Sequence, residues 1–140
     1  MKKSIRRQRF TLIEVVVAIV IVVTLASVAA PLYLNYIKKA NVGAAKTQIK
    51  LIEDALTGYR LDIGSYPSGD AGLQNLVENT DNNEKWNGPY IKPSVPKDPW
   101  GNDYIYKCPG DENRPFEIIS YGADGEPGGE DENADINSWE

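Results

Sequence analysis

Histidine is absent from this chain and cysteine occurs only once, as Cys108, so two common kinds of site are excluded. A single cysteine cannot form a disulfide within the chain. Zinc, copper and non-haem iron sites are built mainly from histidine and cysteine, so such a site is not expected. The sequence also lacks a glycine-rich phosphate loop and a nucleophile beside a base, and we therefore predict that the protein is not an enzyme.

Charge is distributed unevenly along the 140 residues, although the formal net charge is only -5. Five basic residues precede Phe10, and acidic residues dominate from Asp111 to Glu140. Basic residues ahead of an apolar run favour a cytoplasmic N-terminus. The acidic C-terminal region argues against nucleic acid as a partner, because nucleic-acid binding requires a basic surface.

The run from Phe10 to Leu34 is long enough to cross a membrane as one helix, and Glu14 is its only charged residue. A carboxylate in hydrocarbon is costly, so Glu14 indicates a function and needs a partner. The natural partner is the α-amino group that cleavage between Arg9 and Phe10 would create on a neighbouring copy. Pairing would neutralise both charges and dock one copy on the next.

The apolar run has two other interpretations. A cleavable signal peptide would use the small residues near Ala29 and Ala30, but the run is long and Pro31 follows the expected cut. A plain signal anchor would leave Glu14 without a role. The prediction of a processed membrane helix is therefore favoured over both.

A second helical pattern follows the apolar run. Apolar residues recur at spacings of three and four, which predicts an amphipathic helix from about Tyr36 to Leu61, ended by Gly64. Joined to the apolar run, it makes one long helix, in which Pro31 predicts a kink or local melting near residues 27–31. The residues expected on the buried face are Val42, Ala45, Ile49, Ile52, Leu56, Tyr59 and Ile63.

The remaining sequence predicts a short helix and a small sheet. The helix is expected at residues 71–79, and two strands at 103–107 and 116–121 are expected to form an antiparallel hairpin. Prolines exclude a central strand between residues 89 and 99. The predicted class is α+β, with a long N-terminal helix, half transmembrane and half amphipathic, packed on a small antiparallel sheet. The side chains expected to be buried with the sheet are Trp100, Tyr104, Tyr106, Phe116 and Ile118.

The acidic region gathers six carboxylates within the twelve residues 124–135, together with four glycines or prolines. Calcium binds about six to eight oxygen ligands in flexible geometry, and carboxylates folded together without a cation would repel one another. The spacing does not match an EF-hand. The alternative is a disordered acidic tail, because the composition alone is that of a solvated segment.

The residues Phe10-Thr-Leu-Ile-Glu14 resemble the start of processed type IV pilin-like proteins. The segment from Asp98 to Tyr104, Asp-Pro-Trp-Gly-Asn-Asp-Tyr, resembles the major pseudopilins of type II secretion within that family. The resemblance implies a leader at 1–9, a transmembrane and assembly helix at 10–34, and a periplasmic head at 35–140. It also implies cleavage and N-methylation at the Arg9–Phe10 junction by a prepilin peptidase. The family normally has glycine before the cut, and a pocket shaped for glycine is expected to reject Arg9.

The same resemblance implies a structural subunit of a secretion pseudopilus, in a single-pass orientation in the inner membrane. Its copies would form a homopolymer with the help of an inner-membrane assembly platform and minor pseudopilins, and Glu14 would pair with the neighbour's N-terminal amine. The growing filament would push folded proteins across the outer membrane. Two alternatives remain open: a type IV pilin or competence pseudopilin, and a membrane-anchored calcium-binding protein that does not polymerise.

The resemblance further implies a structural calcium ion in the C-terminal loop. Its expected ligands are the carbonyl of Tyr121 and the carboxylates of Asp124, Asp131 and Asp135. The spacing leaves open whether Glu132, Asn133 or Asp135 completes the site. Ile136 and Trp139 are expected to pack the closed loop back on the sheet.

Overall fold

The computed structural model describes residues 10–68 and 71–140, so the predicted leader with Arg9 lies outside the described residues. One long helix and a three-stranded antiparallel sheet confirm the predicted α+β class. The chain divides into two compact units, Met1–Ile37 and Lys38–Glu140. The elements, in chain order, are α1 (Leu12–Ile63), the 3-10 helix η1 (Gly72–Leu76), β1 (Ile105–Lys107), β2 (Glu117–Ser120), the 3-10 helix η2 (Asp131–Asn133) and β3 (Ile136–Asn137).

The first part of helix α1 is apolar on every side. The side chains from Leu12 to Leu34 are all exposed, and by length and composition the helix could cross a membrane. The local melting predicted near residues 27–31 is wrong, because α1 is unbroken with Pro31 inside it. Proline has no backbone N–H, so Pro31 removes one hydrogen bond of the helix. The turns before and after it keep their hydrogen bonds, and a long cooperative helix tolerates the loss of one.

The second part of α1 buries a stripe of side chains in the head, as the periodicity predicted. Ala45, Ile49, Ile52, Leu56 and Tyr59 are buried there, while Val42 and Ile63 are packed against the core and partly buried. Ala55 joins the buried face. The helix ends at Gly64, as expected: its φ of 98° is left-handed, and its N–H donates to the Arg60 carbonyl at 2.8 Å.

The sheet contains the predicted hairpin and one strand that was not predicted. β1 and β2 pair antiparallel, with Ile105 opposite Ile119, and both are shorter than expected. β3 pairs with the other side of β2, with Ile136 opposite Ser120. Of the side chains expected in this core, Tyr104 and Ile118 are buried, whereas Trp100, Tyr106 and Phe116 pack against it and are only partly buried.

Side chains rather than strands hold the long connection between η1 and β1 on the core. The predicted short helix is the 3-10 helix η1 instead of a helix over 71–79, and Leu73 and Leu76 are its buried apolar residues. The Trp86 indole N–H donates to the Asn75 carbonyl at 2.8 Å. The Tyr90 hydroxyl donates to Asp62 Oδ2 on helix α1 at 2.7 Å, so both aromatic residues fasten the connection.

Candidate functional site

Glu14 lies in the first turn of α1 and closes a capping box with Thr11. Its Oε2 accepts hydrogen bonds from the Thr11 backbone N–H at 2.8 Å and from the Thr11 hydroxyl at 3.0 Å. In return, Thr11 Oγ1 accepts a bond from the Glu14 N–H at 3.3 Å. This reciprocal pattern satisfies donors that the start of a helix otherwise leaves open. The carboxylate therefore has a local role that its place in the apolar run alone did not predict.

Apolar side chains surround this carboxylate. Phe10 is 83% exposed, and Val15, Ala18 and Ile19 line an open apolar surface next to Glu14. A charge in such surroundings stays charged at low cost only when a cation or several donors reach it. The Thr11 backbone N–H and hydroxyl supply two such donors from within the chain.

The acidic loop, residues 121–135, folds back on itself. The Ala123 N–H donates to the Glu132 carbonyl at 2.9 Å, which joins its two arms. The approach is so close that a Cβ on Gly122 would lie 2.6 Å from the Glu132 carbonyl oxygen, and a Cβ on Gly129 would clash with the Asn133 carbonyl oxygen. Both glycines have left-handed φ angles. Main-chain carbonyls of residues 132 and 133 thus crowd against the opposite glycines.

The predicted metal ligands take different positions around this loop. Asp124 Oδ1 accepts a bond from the Glu126 N–H at 3.1 Å, and Asp135 Oδ1 accepts one from the Gly128 N–H at 3.0 Å. Asp131 opens η2 with a left-handed φ of 55°, and Tyr121 begins the first arm of the loop as a half-buried residue. Across residues 10–68 and 71–140, no three histidine, cysteine or acidic side chains are grouped closely enough to hold a metal ion.

Glu132 is engaged outside the loop. Its Oε1 lies 3.2 Å from Lys38 Nζ on helix α1, and both side chains are partly exposed. Glu132 and Asp135 are two of the three candidates for completing the predicted calcium site. Glu132 is paired with Lys38, whereas Asp135 accepts a hydrogen bond within the loop. The donor chemistry of the loop, carboxylates and carbonyls without nitrogen or sulfur, fits a hard cation such as calcium.

The segment after the loop is held on the sheet, although less deeply than predicted. Ile136 is buried as expected, but Trp139 remains 40% exposed. The Arg114 guanidinium lies 4.1 Å from the centre of the Trp139 ring, and its Nε donates to Glu117 Oε1 at 2.8 Å. Glu117 is only 1% exposed, and its hydrogen bond to Arg114 raises the pKa of Arg114. The charged network thus joins the hairpin loop to the residues after β3.

An exposed apolar helix with one carboxylate in its first turn, continuing into a small α+β head, defines a pilin-like subunit. A family model described as type II secretion system (T2SS), protein G, matches residues 32–139. The chain belongs to this family.

Individual relatives agree with this membership. The type II secretion system core protein G of Vibrio cholerae is 46% identical, with 99% of this chain and 96% of the relative covered. That of Pseudomonas aeruginosa is 43% identical, with 96% and 98% covered. Among solved structures, the major pseudopilin from the type 2 secretion system of enterohaemorrhagic Escherichia coli matches with a TM-score of 0.60 at 34% identity, covering 76% of this chain and 92% of that one. The predicted pilin-like fold and the assignment to the major pseudopilins are confirmed.

Proposed function

We propose that this chain is the repeating subunit of a pseudopilus that grows from the inner membrane, with its head in the periplasm, and drives folded proteins across the outer membrane. Its partners are further copies of itself, minor pseudopilins, an inner-membrane assembly platform and a prepilin peptidase. Its role is mechanical and not catalytic. The observation that carries the proposal is the uncovered apolar surface of α1 from Leu12 to Leu34.

That surface requires a cover that the chain itself does not provide. A helix that is apolar on all sides is stable in lipid or among other apolar helices, and not in water. Before assembly lipid covers it, and in the filament the same residues of neighbouring copies do. Glu14 then pairs with the α-amino group of a neighbour's Phe10, which brings two opposite charges together in an apolar medium where their attraction is strong.

The capping box allows the two roles of Glu14 to be separated. Glu14→Gln keeps the cap, since glutamine serves at this position too, but it removes the charge. Thr11→Ala removes the capping hydroxyl and keeps the charge. If the charge drives assembly, Glu14→Gln abolishes filaments and secretion, whereas Thr11→Ala assembles. Filaments are measured by electron microscopy of sheared cells, and secretion by the amount of exported protein in the medium.

The reverse result, with Glu14→Gln assembling and Thr11→Ala failing, would show that Glu14 acts only as a helix cap. The N-terminus of the membrane-associated protein, determined by intact mass, provides the second check. A chain that starts at Phe10 supports processing despite Arg9. A chain that starts at Met1 contradicts the filament and leaves an uncut membrane anchor.

We further propose that the acidic loop binds a structural calcium ion through the Tyr121 carbonyl, Asp124, Asp131 and Asp135. The folded-back arms and the crowded carbonyls of residues 132 and 133 support it. When bound, calcium would neutralise the charge repulsion of the loop. These residues supply hard oxygen donors, and the two glycines permit the close approach of the arms.

Calcium is expected to raise the thermal midpoint of the full chain in detergent, compared with the same protein in EDTA. A ligand that binds only the folded state at 100 times its dissociation constant stabilises it by about 2.7 kcal/mol. Asp124→Asn and Asp135→Asn should reduce this gain, and Asp111→Asn in the hairpin loop serves as the control. An equal midpoint in calcium and in EDTA would refute the site.

A further inference from the structure

We infer that Asn102 is a positioning residue for the acidic loop: its side-chain amide holds the first arm of the loop, residues 121–125, in the folded-back shape. The consequence for cation binding rests on the calcium site proposed above. The structural part, the holding of the arm, stands on contacts within the head alone.

Asn102 belongs to a turn that is built around the buried carboxylate of Asp98. Asp98 is 4% exposed, and its Oδ1 accepts bonds from the backbone N–H of Trp100 at 3.1 Å and of Asn102 at 2.8 Å. The Asp98 N–H donates to the Asn102 carbonyl at 2.9 Å. These bonds use only backbone atoms of residue 102. They fix its position and leave its side chain available for another element.

The Asn102 side chain reaches the first arm of the acidic loop. Its Nδ2 donates to the Gly122 carbonyl at 3.1 Å. A Cβ on Gly125 would lie 3.4 Å from the same nitrogen, so the arm packs along the amide over several residues. The turn and the arm are therefore in contact, although 20 residues separate Asn102 from Gly122 in the chain.

A second connection joins the same turn to the arm. The Ser120 hydroxyl at the end of β2 donates to Asp98 Oδ2 at 2.7 Å and accepts a bond from the Gly122 N–H at 3.3 Å. Both backbone polar groups of Gly122 are thus hydrogen-bonded, the carbonyl to Asn102 and the N–H to Ser120. Gly122 also lies against the opposite arm, since a Cβ on it would be 2.6 Å from the Glu132 carbonyl oxygen. Moving Gly122 would displace the point at which the two arms meet.

The experiment replaces only the side chain that makes this contact. Asn102→Ala keeps the backbone bonds of the Asp98 turn and loses the amide donor. Asn102→Asp keeps size and shape but presents a carboxylate to the Gly122 carbonyl oxygen. The matched control is Asn79→Ala, because Asn79 Nδ2 likewise donates to a main-chain carbonyl, that of Asn83, at 3.0 Å. All variants are studied as the full chain in detergent.

Two quantities are measured: hydrogen exchange of the Ala123 amide in EDTA, and calcium affinity by titration calorimetry. Both Asn102 variants should speed exchange of Ala123 by about threefold to tenfold, the factor that corresponds to one lost hydrogen bond. For Asn102→Ala, the calcium dissociation constant should rise by a similar factor. The Asn79→Ala variant should change neither. A role limited to filling space predicts normal exchange in Asn102→Asp.

The outcomes separate this inference from the calcium proposal. Unchanged Ala123 exchange in both variants overturns the positioning role, whether or not the protein binds calcium. Faster exchange in a protein that binds no calcium supports the positioning role and refutes the calcium site. Faster exchange together with wild-type calcium affinity overturns the consequence for cation binding.

Discussion

The two parts of helix α1 use their apolar residues in opposite ways. From Leu12 to Leu34 the large apolar side chains are exposed on all sides, whereas from Ala45 to Tyr59 a single stripe is buried in the head. The backbone conformation is the same in both parts. What differs is the cover: the sheet and loops of the head bury the stripe of the second part, whereas the described residues leave the first part exposed. The apolar pattern, all round or on one stripe, distinguishes the two cases.

The strongest test of this contrast removes one apolar side chain from each part of α1. Leu56 is fully buried, so Leu56→Ala should lower the free energy of unfolding of the head by about 2–5 kcal/mol through lost burial and a cavity. Val20 is 58% exposed, and Val20→Ala should change the same quantity by less than about 0.5 kcal/mol. Urea denaturation in detergent, followed by tryptophan fluorescence, measures both.

Filament assembly should be more sensitive to the exposed part of α1 than the stability of the head is. In the proposed filament, Val20→Ala is expected to weaken assembly more than it weakens the head, because Val20 is exposed in the single chain and would pack only against neighbouring copies. A loss of head stability in Val20→Ala as large as that in Leu56→Ala would contradict the separation of the two parts.

The buried Tyr104 provides a second test of the difference between buried and exposed side chains, because its burial makes the stability of the head depend on pH. Burial raises the pKa of Tyr104, and the charge of Asp98 adds to the effect. The folded state therefore keeps the Tyr104 proton at a pH where the unfolded chain, with a pKa of about 10, releases it. The stabilising contribution is complete below about pH 10 and is lost as the pH rises through the folded-state pKa.

The free energy of unfolding should therefore fall above about pH 10, and the fall should be less steep in Tyr104→Phe. Tyr104→Phe also loses the hydrogen bond of the hydroxyl to Gln48 Oε1, which is 2.6 Å long, so its stability at neutral pH should drop slightly. Tyr36→Phe is the control, because the Tyr36 ring lies exposed on helix α1. An identical alkaline profile in Tyr104→Phe and the parent would show that Tyr104 does not carry the effect.

The smallest expected effect concerns the ion pair between the head part of α1 and the acidic loop. Lys38→Met removes the partner of Glu132. Because both side chains are partly exposed, the free energy of unfolding should fall by less than about 1 kcal/mol. The difference from the parent should shrink further in 0.5 M salt, because salt screens exposed charges. The Debye length falls from about 10 Å at 0.1 M to about 3 Å at 1 M ionic strength. A larger, salt-independent loss would show that the pair is more important than its exposure indicates.

The sequence predicted the elements that follow from periodicity. Spacings of three and four identified the buried stripe around Ile49, Ile52 and Leu56, and the alternation near Tyr104 and Ile118 identified the hairpin. Both patterns arise because one face of each element meets the core. The assignment to the pilin-like family followed from the residues around Glu14 and Asp98, and it is confirmed.

Other features depend on contacts between distant residues, which a local pattern does not contain. β3 is only two residues long and lies in a polar stretch, so only its pairing with Ser120 defines it. The contact of Asn102 with Gly122 likewise requires the folded turn. The capping box of Thr11 and Glu14 had a local signal, Thr-x-x-Glu, but the prediction for Glu14 considered only a partner outside the chain.

The short strand β3 has a consequence for the order of biosynthesis. The backbone of β2 pairs with β1 on one side and with β3 on the other, and β3 is made after the acidic loop. While the chain is being synthesised, one side of β2 therefore stays unpaired until β3 is made, and an unpaired strand edge can pair with another chain. Ile136 and Asn137 then cover that edge at Ile119 and Ser120, and β3 becomes the outer strand of the sheet. Because β3 has only two residues, the edge that remains for pairing with another chain is short.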